Sequence, residues 1–187
     1  MSIIDDFLAD AREHMDKSVD ATRGKFGSVR TGRATPALLD RISVDYYGTQ
    51  TPLRQLATIS APEARLLTVQ PYDKTSIKAI ERSILESDLG LTPNNDGSII
   101  RLQVPELTEE RRKQLVKVVR GLAEEGKVAI RNIRRDVMHD LRELRDAGEA
   151  GSDDEHRAEE ALQRLTDEKV KELDALLKGK EEEILEV

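Results

Sequence analysis

LTEERRKQLVKVVRGLAEEGKVAIRNIRRDVMHDLRELRD, residues 107–146, decides the fold. Thr108 is placed to cap a helix, and Glu109 and Glu110 fall in its first turn, where negative charge suits the exposed amides. Leu115, Val119, Leu122, Ile130, Ile133, Val137, Leu141 and Leu144 then keep the helical period, interrupted only at Gly126. At about 1.5 Å per residue this is a rod of about 60 Å. Its apolar stripe is too narrow to be buried by the rod itself, so its partners must come from elsewhere in the chain. Downstream, GEAGSDDE at 148–155 breaks the helix, and Ser152 with Glu155 spells a capping box that starts another. Leu162, Leu165, Val170, Leu173, Leu177 and Ile184 carry that helix almost to the end. Upstream, Ile4, Leu8, Ala11, Met15, Thr22, Phe26 and Val29 recur at steps of three, four or seven, predicting a first helix to about Val29.

The pattern changes between the first helix and the second. Ile42, Val44 and Tyr46 alternate with polar neighbours and Gly48 follows, which reads as a strand and a turn. LLTVQPY at 66–72 is a second strand. Asp73 can cap a helix that puts Ile77, Ile80 and Ile84 on one face and ends at Gly90. NNDG at 94–97 marks a turn before a last strand, SIIRLQV, closed by Pro105. The expected fold is therefore α+β. Residues 1–30 plus 106–187 form a long three-helix bundle, and residues 31–105 form a small inserted β/α/β domain. The chain crosses between them twice, through Gly32, Arg33 and Pro36 and again at Pro105, which suits a two-stranded hinge.

Charge points to function. The chain carries a net −7, yet residues 107–135 hold nine basic against four acidic side chains, a local +5, while residues 136–187 hold eight against eighteen, a local −10. A ligand meets the local field rather than the total. Lys113, Lys117, Arg120, Lys127, Arg131 and Arg134 recur at steps of four, three or seven, with Glu124 alone interrupting them. A row of one sign repels itself and is most useful against phosphates, where each neutralised group releases counterions. No aromatic residue lies along it, so it suits the backbone shape of a folded RNA better than stacked single-stranded bases.

Enzyme classes find little support. There is no cysteine, and Gly24-Lys25 and Gly179-Lys180 lack the surroundings of a phosphate-binding loop. The three histidines, His14, His139 and His156, are scattered, and His139 is expected beside the core face of its helix. No metal site, cofactor or catalytic residue is expected. With no secretory leader or long apolar run, the chain reads as cytoplasmic and without a membrane partner. Periodicity alone also fits a coiled-coil adaptor, which would dimerise and bind proteins; the cationic row favours RNA.

RTGRATPALLDRISVDYYGTQTPLRQLA at 30–57 resembles a signature of the ribosome recycling factor family. SDLGLTPNNDGSIIRL at 87–102, LTEERRKQLVK at 107–117, KVAIRNIRRD at 127–136 and the ending KEEEILEV are similar to further family motifs, in family order. The resemblance implies an L-shaped, two-domain monomer of tRNA-like outline. It also implies binding to the post-termination bacterial ribosome through large-subunit rRNA. With elongation factor G and its GTP hydrolysis, the subunits would then separate and release mRNA and tRNA. By motif, Arg131, Arg134, Arg135, Arg112, Arg30 and Arg33 match residues of the family's RNA contacts. Lys117, Arg120 and Lys127 join them from the cationic row. VMHD at 137–140 and PYD at 71–73 depart from common family versions and bear on local packing.

Overall fold

The computed structural model describes residues 2–186, so the expected domain ends at Met1 and Val187 lie outside the described residues. In chain order the elements are α1 (Ile3–Ser28), β1 (Ser43–Tyr46), β2 (Thr49–Pro52), α2 (Leu53–Leu56), β3 (Ala57–Glu63), β4 (Leu66–Pro71), α3 (Ile77–Glu86), β5 (Pro93–Asn95), β6 (Ile100–Gln103), α4 (Glu109–Asp146) and α5 (Ser152–Leu185). They form two compact units. The described residues of Met1–Arg30 and Glu109–Glu186 make one, and Thr31–Thr108 make the other.

In the first unit α1, α4 and α5 pack pairwise. Ala11, Met15 and Val19 of α1 meet Ile130 and Met138 of α4 and Leu162, Leu165 and Leu173 of α5. Met15, Ile130, Leu162 and Leu173 are wholly buried. Burial of such side chains is worth about 1.5–3 kcal/mol each, far more than exposed ion pairs contribute, so the apolar stripes hold the bundle together. Two sequence expectations change here. Gly126 does not interrupt the stripe; it is buried, and a Cβ built on it would lie 2.5 Å from Thr22 Oγ1 and 3.0 Å from Leu173 Cδ1. The capping box expected at Ser152 and Glu155 does not form. Gly151 is the N-cap with no side-chain bond, and the buried Glu155 instead takes two hydrogen bonds from Arg145 Nη1, at 2.8 and 3.1 Å. A reciprocal capping box is found at α1, where Ser2 and Asp5 satisfy each other's backbone amides.

A buried cation lies inside the bundle. Lys169 of α5 is buried, with its Nζ 2.6 Å from Asp16 of α1 and 3.3 Å from Glu172. The hydrogen bond to Asp16 raises its pKa, desolvation opposes this, and Glu172 adds to the rise. A raised lysine pKa gives stability that is fully present below the ordinary value of about 10.4 and is lost as pH rises through the folded-state value. Thermal melts should therefore fall above about pH 10.4 more steeply for the wild type than for Lys169→Met. Parallel curves would show that the pair does not couple to folding.

The second unit is built on a four-stranded antiparallel sheet in the order β3-β4-β6-β5 and a β1-β2 hairpin. Ile77, Ile80 and Ile84 of α3 bury one helical face in a core with Val44, Leu53, Leu67, Val69, Ile100 and Leu102. A short 3-10 turn, Lys74–Ser76, precedes α3, with Asp73 accepting from the Thr75 amide as its cap. The helix stops at Ser87, before the expected Gly90. β2, β3 and β5 had not been anticipated. Their exposed side chains lack the apolar alternation that reveals a strand. The β1-β2 turn places Tyr47 at φ 50° and Gly48 at φ 81°, the paired left-handed geometry of a tight hairpin. At the β5-β6 turn Asp96 accepts from the amides of Ile99 and Ser98 and from Arg101, which hold its carboxyl at about 2.

Both stretches that join the units have structure of their own. Gly32 has φ 77°, and a Cβ there would lie 2.9 Å from Leu107 Cγ. The Ala34 amide donates to the Ala64 carbonyl at 2.7 Å and the Val104 amide to the Arg65 carbonyl at 2.8 Å. Arg65 also pairs with Glu106 at 3.0 Å. Pro36 opens a short 3-10 turn, Pro36–Leu39, where a missing amide costs nothing, and Pro105 follows β6.

Candidate nucleic-acid interface

The wholly buried Ile130 marks the core direction of α4 more closely than the partly exposed Ile133. At 100° per residue, Arg134 then lies about 40° from the core direction, Lys127 about 60°, Arg120 about 80°, Arg131 about 100°, and Lys117 and Arg135 about 140°. All six flank the same side of the helix. They differ in what they meet there.

Arg120 reaches α5 and donates through Nε to Glu181 at 2.6 Å, which raises its pKa further. Lys127, with only 17% of its side chain exposed, pairs with Asp174 of α5. Lys113 pairs with Glu109 at 2.8 Å, and Arg131 with Glu124 at 3.1 Å. The expected single-signed, solvated row is therefore corrected: carboxylates from α5 and from α4 itself neutralise much of its length. α1 adds similar pairs, Arg12 with Glu168, Arg23 with Glu172 and Lys25 with Glu125. The acidic excess of α5 is largely spent within the bundle.

Beyond Arg131 the picture changes. Arg135 is exposed and, among the described residues, pairs with Asp136 alone, at 3.8 Å. Arg134 is partly buried, and its Nε is shielded from solvent with no acceptor. An open depression is lined by Arg134, Arg135, Asp136, Met138, His139 and Arg142. His139, expected beside the core, is 71% exposed and sits 3.5 Å from Glu143. Lys117 is exposed on an earlier turn, and Arg112 is partly buried near the start of α4. Arg30 is exposed just past α1, and Arg33 is exposed in the second unit. Residues 134 and 135 therefore fall together with His139 and Arg142, while Arg112, Lys117, Arg120, Lys127 and Arg30 do not line that depression and Arg33 belongs to the second unit. Arg142 was missed because it falls beyond the cationic stretch, in a segment whose net charge is negative; its seven-residue spacing from Arg135 was the available signal.

Among the described residues no group of three or more His, Asp or Glu side chains is placed to hold a metal ion, and no helix is long and apolar enough to cross a membrane. What α4 offers chemically is a set of fixed nitrogen donors facing solvent, suited to anionic oxygen.

The family model described as ribosome recycling factor matches residues 22–185. The ribosome-recycling factor of Rubrobacter xylanophilus is 56% identical over 180 residues, 96% of this chain and 97% of the relative. That of Carboxydothermus hydrogenoformans is 53% identical over 185 residues, 99% of this chain and 100% of the relative. A solution structure of a ribosome recycling factor matches with a TM-score of 0.76 and 38% identity, covering 100% of both chains. A second match, with a TM-score of 0.64 and 46% identity over 99% of this chain, is the Thermus thermophilus ribosome recycling factor in a model with Escherichia coli elongation factor G on the E. coli post-termination complex. A helical bundle and a small sheet unit in one chain, matched end to end at such identity, leave one conclusion: the chain belongs to the ribosome recycling factor family.

Proposed function

We propose that this protein binds the post-termination bacterial ribosome in the cytoplasm and, with elongation factor G and GTP, promotes separation of the subunits and release of mRNA and tRNA. It acts as a monomer without a cofactor or chemistry of its own, since hydrolysis belongs to the translocase. Arg131, Arg134 and Arg135 grip large-subunit rRNA backbone, and Arg112, Lys117, Arg120, Lys127, Arg30 and Arg33 extend the contact. Residues 31–108 are the part that the translocase displaces, with Gly32, Arg33, Pro36 and Pro105 carrying the bend. The observation that best supports this reading is the cluster of arginines at the middle of α4, Arg131 and Arg135 exposed and Arg134 partly so, in a chain matched end to end by recycling factors. Salt sensitivity is expected of such a grip.

The test is polysome breakdown with purified elongation factor G and GTP. The wild type should convert polysomes to subunits, and Arg131→Ala/Arg134→Ala should do so poorly, with its helicity by circular dichroism unchanged. Full activity of the double variant would refute the arginine grip. A solution mass near 21.0 kDa is expected; a dimer would favour a coiled-coil adaptor.

A further inference from the structure

Along α4 the cations fall into two classes. Arg120, Lys127 and Arg131 already hold a carboxylate, so an incoming anion must displace it. One helical segment is different. Arg134, Arg135, His139 and Arg142 line a single open depression over nine residues, a length of about 12 Å along the axis. Arg142 makes no ion pair among the described residues, and Arg134 keeps a shielded Nε with no acceptor. A buried donor without an acceptor is uncommon in a native structure, and here it marks an arginine that no carboxylate among the described residues holds. His139 presents one ring N–H to an oxygen anion, and Glu143 stands 3.5 Å from its Nε2 without burying it. Two carboxylates stand beside the depression, Glu143 next to His139 and Asp136, which at 3.8 Å holds Arg135 only loosely.

We infer that His139 and Arg142 complete, with Arg134 and Arg135, an anion-binding subsite for neighbouring phosphodiester groups of folded RNA, extending the footprint of α4 two turns beyond the RNIRR segment. The inference rests on the RNA-binding reading given above. The occupant is a phosphate backbone rather than bases, because no aromatic side chain lines the depression and its open form admits a ridge of phosphates. Arg supplies the planar fork suited to phosphate oxygens, and His supplies a single donor between the two arginine ends.

Large ribosomal subunits are the probe, titrated with the full chain at salt from about 50 to about 200 mM, where log affinity falls linearly with log salt. Arg142→Gln and His139→Gln should each weaken binding about threefold to tenfold at the lower salt, and Arg142→Gln should reduce the salt slope by about one. Arg142→Lys should restore the slope, because it keeps the charge. Arg134→Gln serves as the control for the underlying reading. If Arg134→Gln weakens binding while both other variants match the wild type in affinity and slope, the inference is overturned and the reading stands. If Arg134→Gln also has no effect, both fall. An affinity loss in Arg142→Gln with an unchanged slope would place Arg142 against protein, and it too overturns the phosphate assignment.

Discussion

Replacing Gly126 with alanine should destabilise the bundle by about 1–2 kcal/mol, although glycine to alanine in an exposed helix interior normally gains about 1 kcal/mol. The new Cβ would sit 2.5 Å from Thr22 Oγ1 and 3.0 Å from Leu173 Cδ1. Thr22 cannot easily turn away, because it is buried and its hydroxyl donates to the Ser18 carbonyl at 3.0 Å. Overpacking of a core costs about 1–3 kcal/mol or more, which outweighs the helical gain. Gly126→Val, with two further methyl groups, should reach about 3 kcal/mol. The decisive measurement is a double-mutant cycle in urea. Thr22→Ala removes the nearest atom, so Thr22→Ala/Gly126→Ala should recover most of the loss as a favourable coupling of about 1–2 kcal/mol. A stabilised Gly126→Ala would mean that the three helices do not approach as closely as described.

Gly32→Ala should act on the other unit by about 2–4 kcal/mol, the sum of about 1 kcal/mol for an L-residue in the left-handed region and about 1–3 kcal/mol of overpacking. Its φ is 77°, and the added Cβ would lie 2.9 Å from Leu107 Cγ. Two compact units need not unfold as one, so hydrogen exchange is the better readout than a global melt. The amides of Ala34 and Val104, bonded to the carbonyls of Ala64 and Arg65, should exchange faster, while those in the core of α4 stay protected. Leu107→Ala in the same chain should relieve the collision but not the backbone strain. Recovery of about half the loss is therefore expected, and complete recovery would show that φ at Gly32 is unimportant. In the polysome assay this variant should retain ribosome affinity and lose splitting rate, if the bend carries the motion proposed for it.

Most of the architecture could be read from periodicity. The three long helices come from stripes such as Leu115, Val119 and Ile130, which only a helix gathers on one side. β1, β4 and β6 are legible because Val44, Leu67, Val69, Ile100 and Leu102 alternate with less buried neighbours. β3 was not, because only Ala57 is fully buried along it and its ladder is broken by a register shift between Ser60 and Glu63. The Ser152 and Glu155 pattern misled for a different reason: Arg145, ten residues earlier in the chain, competes for the same carboxylate and wins. The cationic row shows the same limit. Its spacing on α4 was legible, but Glu181 and Asp174 belong to a helix that folds back against it, and no pattern within residues 107–135 contains them. His139, expected beside the core face, lies nine residues and about 180° from the wholly buried Ile130, which is why its ring is exposed.

Glu181 and Asp174 give α4 a built-in competitor. A group held on the same folded chain acts at an effective concentration on the order of millimolar or higher. A free phosphate or a loose strand that meets Arg120 or Lys127 must outbid that tethered carboxylate one site at a time. Scarce mobile anions therefore leave those two positions occupied. A rigid surface carrying several phosphates in register loses its freedom once and can displace both carboxylates together, so the acidic helix sets a valency threshold on what the basic one will hold.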